Sequence, residues 1–500
     1  MKVNSFVKTI ILSQKFALVF IFLTGCNTIV SKPYQTENEL IENHTVPEKP
    51  NILLILCDDL GYSDVGFNGS KDIPTPNLDM LANNGTICTS AYMAHPFCGP
   101  SRASLMTGRY AHKIGSQFNL PTEGDESKGI DVNETFISKV LQESGYYTGA
   151  IGKWHLGYQK QFHPNQRGFD DFYGFLGGGH QYFPKQFKAE YLLQKESGKT
   201  FIWEYLRQLE HNGDEVDETE YITNGLSREA VRFLDDAGKK EQPFFLYLSY
   251  NAPHTPLEAK EEDLKLFAHV KDKKRRIYAA MVYAVDRGVK QIVEKLKETN
   301  QFENTLIVFS SDNGGKLKAG ATNYPLKEGK GSAYEGGFRV PMFFHWPSVV
   351  PSGKTYNYPI SSLDFYPTFS NLANAEIPKG KQLDGKDIWK HFLSNENPRP
   401  EEPLFIMRHR KGFSDVAIRQ DKWKALKVYQ QKWKLFDIEN DIEERIDLSF
   451  QYPEILSNLV SLGEAWSQTH VKPQWFHIEK EGQQWEADGM PNFNKTFNLN

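Results

Sequence analysis

Residues 51–57 read Asn-Ile-Leu-Leu-Ile-Leu-Cys, an apolar run with no polar alternation. A strand with one wet face would alternate. This run therefore predicts a strand buried on both faces, as in parallel sheets covered by helices on each side. Phe244–Ser249 (FFLYLS) and Leu306–Ser310 (LIVFS) repeat the pattern, and Tyr147–Ile151 reads as a further strand. Between them, Thr75-Pro76 opens a helix that ends before Gly85, Glu134–Ser144 forms a helix closed by Gly145, and Lys274–Thr299 forms a long one. Strands alternating with helices predict an α/β fold built on a large, mixed, mostly parallel sheet between helices.

The two ends of the chain read differently. Lys2, Lys8 and Lys15 precede an apolar run from Phe16 to Leu23, then Thr24-Gly25-Cys26. A basic start, a short apolar core and small residues before a cut describe an export signal, and the run is too short to span a membrane comfortably. Leu23-Thr24-Gly25-Cys26 also resembles a bacterial lipoprotein signal, in which the cysteine carries the lipid; a plain signal peptide is the alternative. Residues 1–26 are thus expected to be a signal peptide, 27–49 a polar tether and 50–400 the main domain. From about residue 400, Asp415–Leu426 and Trp433–Ile438 read as short alternating strands and Pro453–Trp466 as a closing helix. These predict a small C-terminal antiparallel subdomain over 401–480, with 481–500 as a tail. The chain has four cysteines, Cys26, Cys57, Cys88 and Cys98, too few for a disulfide framework. Its net charge of -5 gives no sign of a nucleic-acid binder, which would carry a basic excess.

Polar clusters follow the apolar strands at corresponding places. Asp58-Asp59 follows the first strand, Lys153 and His155 the second, His254 the third and Asp312-Asn313 the fourth. One such cluster would be an ordinary turn. Four of them at strand ends predict a shared crevice, because open α/β sheets bind ligands beyond the carboxyl ends of their strands. Asp58, Asp59, Asp312 and Asn313 all offer oxygen, which suits a hard cation such as Ca²⁺ or Mg²⁺ better than zinc.

Cys98-Gly99-Pro100-Ser101-Arg102 runs on through Ala103-Ser104-Leu105-Met106-Thr107-Gly108-Arg109. Taken by itself, this is a short helix ended by Gly108 with Cys98 at its N-terminus, where a thiol pKa is lowered and anions are attracted. The segment resembles the signature of the formylglycine-dependent sulfatases, C-x-P-S-R followed by L-x-T-G-R. Further matching segments are Gly152–Gly157, Arg167–Asp170, Ala252–Pro256, Ser311–Gly314 and Gly329–Gly337, with Ala417–Arg419, Trp423-Lys424 and Leu435–Asp437 in the C-terminal part.

The resemblance implies an alkaline-phosphatase-like α/β sandwich and a set of roles. Cys98 would be oxidised to formylglycine by a separate maturation enzyme, and its hydrate would supply the attacking oxygen on the way to a sulfoenzyme intermediate. Asp58, Asp59, Asp312 and Asn313, with residue 98, would hold one Ca²⁺, in preference to Mg²⁺. Arg102 would stabilise the hydrated aldehyde. Lys153 and Lys330 would bind sulfate oxygens, His155 would help expel sulfate, and His254 would protonate the leaving sugar oxygen. The resemblance to exported bacterial polysaccharide sulfatases favours sulfated algal glycans such as ulvan or carrageenan over glycosaminoglycans. The lipoprotein-like signal at Leu23–Cys26 implies a lipid anchor on Cys26, at the cell membrane, in the periplasm or on the cell surface. His95, His180, Tyr182, Arg408, His409 and Arg410 lie in segments able to line sugar subsites. The alternatives are a phosphonate or phosphate monoester hydrolase of the same superfamily and a non-catalytic binder of sulfated glycans.

Overall fold

The structure, a computed structural model, describes residues 49–121, 126–199, 202–410, 413–428 and 431–487. The expected signal peptide, Cys26, the tether up to residue 48 and the end of the tail lie outside them. So does the side chain of Arg410.

One ten-stranded sheet organises the molecule. Its strands are β1 (Asn51–Cys57), β2 (Thr86–Cys88), β3 (Tyr147–Lys153), β4 (Asp171–Phe175), β5 (Leu209–His211), β6 (Asp214–Val216), β7 (Phe244–Ser249), β8 (Thr305–Ser311), β9 (Phe343–His345) and β10 (Lys354–Tyr356). Their order is β10-β2-β9-β8-β1-β7-β3-β4-β5-β6. The central run from β8 to β4 is parallel, and the strands that flank it, β9 and β5, pair with it antiparallel.

The register explains the unbroken apolar run. β1 lies between β7 and β8, with Ile55 opposite Leu248 on one side and Phe309 on the other. Leu53, Ile55 and Cys57 enter one core, with Leu226 and Phe233 of the Ile222–Gly238 helix and Met281 and Val289 of the Lys273–Glu298 helix. Ile52, Leu54 and Leu56 enter the opposite core, with Leu141 of the Ile137–Glu143 helix and Phe369 of the Phe365–Leu372 helix. Each fully buried leucine contributes about 1.5–3 kcal/mol, so both faces of β1 must be apolar. The long helix starts where Asp272 caps it, its side chain accepting from the Arg275 N–H at 2.7 Å.

Three local expectations change. The second helix begins at Ile137 rather than Glu134. Its start is extended at Phe136, and the Glu134 side chain pairs instead with Arg109 and Lys381. The stretch 415–426 is not one strand but a hairpin, β12 (Phe413–Gln420) and β13 (Trp423–Lys427), turning at Asp421 with φ 50°. With β11 (Leu404–Arg410) and β14 (Lys434–Asp437) it forms a separate four-stranded antiparallel sheet. Finally, residues 481–487 continue a Glu479–Ala487 helix. The small sheet packs through Ala417 and Leu426 on Tyr92 and Ala333, and the buried Lys424 pairs with Glu335 at 2.9 Å and Glu444 at 2.8 Å.

Candidate active site

β1, β3, β7 and β8 run parallel, so their C-terminal ends share one edge of the sheet. Asp58-Asp59, His155 and Asp312-Asn313 leave from that edge, Lys153 ends β3, and the His254 loop follows β7. Asp59 and His155 both adopt positive φ, 64° and 63°, a strained conformation that turns each side chain sharply off its strand. Cys98 enters from the opposite core as the first residue of the Cys98–Thr107 helix, which Gly108 closes at φ 67°. The helix is buried throughout.

Arg102 locks this helix to the sheet. Its Nε donates to Asp312 Oδ2 at 2.9 Å and its Nη2 lies 2.8 Å from the same oxygen, with both side chains fully buried. Its Nη1 donates to the Lys153 carbonyl, the Tyr247 hydroxyl and Ser249 Oγ. Two cations meet beside the thiol. Lys153 Nζ lies 2.6 Å from Asp58 Oδ2, and Lys330 Nζ lies 2.6 Å from Asp59 Oδ1 and 3.8 Å from Cys98 Sγ.

The acidic set keeps oxygens in reserve. Asp59 Oδ1 also accepts from Asn313 Nδ2 at 2.8 Å. Asp58 Oδ1, Asp59 Oδ2 and Asn313 Oδ1 are buried with no hydrogen-bond partner. Ligand atoms of Asp58, Cys98 and Asp312 lie within 4.8 Å of one another, as do those of Asp58, Asp59 and His254. Buried acceptors without donors are costly, and a divalent cation that prefers oxygen would satisfy all three at once. The donor set therefore fits Ca²⁺ or Mg²⁺.

Two histidines complete the site. His254 Nδ1 donates to the Thr255 carbonyl at 2.7 Å, which leaves Nε2 facing the pocket 3.7 Å from Asp59 Oδ2. The His155 ring packs against Gly99 and Gly178. A Cβ on Gly178 would stand 2.7 Å from His155 Nε2, so the glycine there is what admits the ring.

Burial and charge set the protonation states. Burial pushes the Cys98 thiol up despite Lys153 and Lys330, opposite to the lowering expected from the helix terminus; a thiol so held is no ready nucleophile. Burial would also raise Asp59, but Lys330 and then His254 hold it well below the usual carboxylate range. Burial and the neighbouring Asp58 raise Asp312 to about 6, against Arg102. Burial lowers His254 to about 3, with Asp59 opposing, and lowers His155 far below its ordinary value, helped by Lys153.

All ten residues expected at the centre therefore meet: Asp58, Asp59, Cys98, Arg102, Lys153, His155, His254, Asp312, Asn313 and Lys330. The sugar-subsite expectations fare less well. His180 is buried with both ring nitrogens on backbone carbonyls, those of Gln181 and Arg207. Tyr182 is buried and donates to the Asn251 and His254 carbonyls, supporting the His254 loop. His95 and His409 are buried in a histidine cluster. Arg408 lines an open cleft beside Lys330. Sequence reasoning missed Asn119, whose Oδ1 accepts from the Gly99 N–H at 3.0 Å and lies 3.8 Å from Cys98 Sγ. It also missed Tyr205, whose ring stands edge-on to His254 at 6.2 Å and stacks on the part-exposed Trp203. Asn119 lies in a loop and Tyr205 in the single 3-10 turn Glu204–Leu206, neither within a motif; only the aromatic pair Trp203 and Tyr205 gave a signal.

A family model described as Sulfatase matches residues 50–375, and one described as N-sulphoglucosamine sulphohydrolase, C-terminal, matches residues 329–461. Arylsulfatase J of Mus musculus is 31% identical over 466 residues, covering 82% of this chain and 75% of its own. N-acetylgalactosamine-6-sulfatase of Canis lupus familiaris is 31% identical over 401 residues, covering 78% and 74%. A crystal structure of Ps i-CgsB in complex with k-i-k-neocarrahexaose is 60% identical with a TM-score of 0.89, covering 90% of this chain and 100% of that one. The architecture is the alkaline-phosphatase-like α/β sandwich that the motifs implied.

Proposed function

The chain belongs to the sulfatase family and is a sulfuric ester hydrolase, and from that premise we propose that it desulfates a carrageenan-type algal glycan, using formylglycine at position 98. One observation carries the proposal: Lys330 reaches Cys98 beside three buried oxygens that lack donors. The 60% identity to a protein crystallised with k-i-k-neocarrahexaose supports carrageenan ahead of ulvan or a glycosaminoglycan.

A sulfate monoester is an anion, so an oxygen nucleophile reaches it only where its charge is neutralised. Lys153 and Lys330 grip the sulfate oxygens, and Arg102, fixed by Asp312, holds the start of the helix that presents residue 98. As formylglycine hydrate, residue 98 offers a hydroxyl where the buried thiol is protonated. Asp58, Asp59, Asp312 and Asn313 would hold Ca²⁺, which when bound offsets their charge and polarises the sulfate. His254 is neutral in the resting site, with Nε2 facing the pocket. The bound sulfate anion raises the proton affinity of that nitrogen, so on substrate binding Nε2 takes up a proton from solvent and passes it to the leaving sugar oxygen. His155, neutral beside Gly99, takes the proton whose removal expels sulfate. A maturation enzyme supplies the formylglycine, and a lipid anchor on Cys26 would hold the enzyme where exported glycans are met.

Paired rate measurements on carrageenan oligosaccharides and on matching phosphate esters test this reading. Sulfate release with the higher kcat/KM is expected. Faster phosphate release would replace it with a phosphoester hydrolase.

A further inference from the structure

A cleft of about 870 Å³ opens beside Lys330 and runs to the four-stranded sheet. Its charged lining comprises Lys316, Lys318, Lys327, Lys330, Arg408 and Lys434 against a single acid, Glu328. The chain as a whole is acidic, with net charge -5, so composition does not account for this concentration. Elsewhere on the surface, lysines such as Lys188, Lys239, Lys260 and Lys295 sit against carboxylates. Among the described residues, Lys316, Lys318, Lys327 and Lys434 have no carboxylate within 4.0 Å. Lys316 Nζ lies 3.4 Å from Thr255 Oγ1, and Lys327 Nζ lies 4.4 Å from the centre of the Tyr334 ring. Lys330 is paired with Asp59, but gathering the other four lysines without carboxylates costs self-repulsion, which an anionic ligand relieves.

The cleft is continuous with the reaction centre. Lys330 belongs to both. The Arg408 guanidinium donates to the Gly331 carbonyl and lies 4.7 Å from the centre of the ring of Phe97, the residue before Cys98. Lys316 touches the loop that carries His254. A sugar chain with one sulfate at Cys98 and its leaving oxygen at His254 would therefore extend along these cations.

We propose that this cleft is a second anion subsite that takes a further sulfate ester on the same glycan chain, so that the enzyme selects multiply sulfated polymers over singly sulfated sugars. The proposal rests on the glycan sulfatase reading above. Its test compares kcat/KM of the mature enzyme on two carrageenan hexasaccharides, one carrying a single sulfate and one carrying several. The parent should prefer the second, and raising salt should erode that preference, because exposed charge pairs are screened. Lys318→Glu with Lys434→Glu should lower the preference about tenfold, each exposed pair being worth a few-fold. Equal kcat/KM on the two hexasaccharides, or a preference unmoved by salt, would overturn the subsite while leaving the sulfatase reading intact. Competition by a sulfate-free uronic acid oligosaccharide as strong as that of the multiply sulfated one would also overturn it. Hydrolysis of neither hexasaccharide would instead defeat the underlying reading.

Discussion

Lys330 Nζ sits 2.6 Å from Asp59 Oδ1, joining the glycine-rich loop to the end of the first strand. The pair does two things. It holds the Asp59 carboxyl ionised against its burial, and it places a cation 3.8 Å from Cys98 Sγ, where a sulfate oxygen must be met.

Lys330→Ala should therefore reduce kcat/KM on a small aryl sulfate about 10²-fold, the scale of losing one preorganised charge contact in a water-poor site. Initial rates with purified, mature enzyme check this. A loss of only a few-fold would remove Lys330 from the sulfate clamp.

Arg102 and Asp312 form a fully buried pair. Arg102→Ala leaves the Asp312 carboxylate buried without its partner, a change that costs about 3–5 kcal/mol. Thermal unfolding should show a large fall in Tm as well as loss of activity. Arg102→Lys should recover little, because one nitrogen cannot replace the fork whose Nε and Nη2 meet Asp312 while Nη1 meets the Lys153 carbonyl and Tyr247.

Four histidine rings cluster: the His112 ring lies 5.6 Å from His95, 5.3 Å from His409 and 4.8 Å from His470. Burial lowers His95 and His409 to about 3, His470 to about 2 and His112 well below its ordinary value. An unfolded histidine titrates near 6.5, so between roughly pH 6.5 and 3 the unfolded chain binds more protons. Stability should be full above that window and fall as pH drops through it. A fall from 6.5 to about 3 corresponds to about 5 kcal/mol for one buried histidine at the acid end. Tm measured from pH 7 down to pH 4 should decline steeply, and His112→Phe should flatten the decline. A Tm independent of pH would contradict this.

Chelation tests the acidic set. With Asp58 Oδ1, Asp59 Oδ2 and Asn313 Oδ1 lacking donors, removal of divalent cations should lower both Tm and activity. Ca²⁺ should restore both more fully than Mg²⁺, which demands a tighter octahedral site. Unchanged Tm and rate after exhaustive chelation would show that no cation is held there.

What was legible in the sequence follows from range. The strands that build the reaction edge are buried on both faces, so Asn51–Cys57 and Phe244–Ser249 announce themselves without knowledge of their partners. The polar residues directly after them inherit that certainty. The sheet margins do not: Lys354–Tyr356 is polar, and only its pairing with Thr86–Cys88 makes it a strand. Asn212-Gly213, with φ 53° and 95°, joins β5 to β6 in a two-residue hairpin; an Asn-Gly pair is a strong turn signal, but the strands beside it are too short to stand out. His180 and Tyr182 show the converse error. Residue type suggested sugar contacts, whereas the neighbouring carbonyls that satisfy them come from distant segments.

The central claim is that Cys98 works as formylglycine and not as a thiol. Mass spectrometry of the proteolytic peptide spanning Cys98, taken from enzyme that releases sulfate, tests it most directly. The account predicts a peptide whose mass shows the thiol replaced by an aldehyde, which a hydrazide reagent captures. Active enzyme whose Cys98 is wholly an unmodified, alkylatable thiol would contradict it.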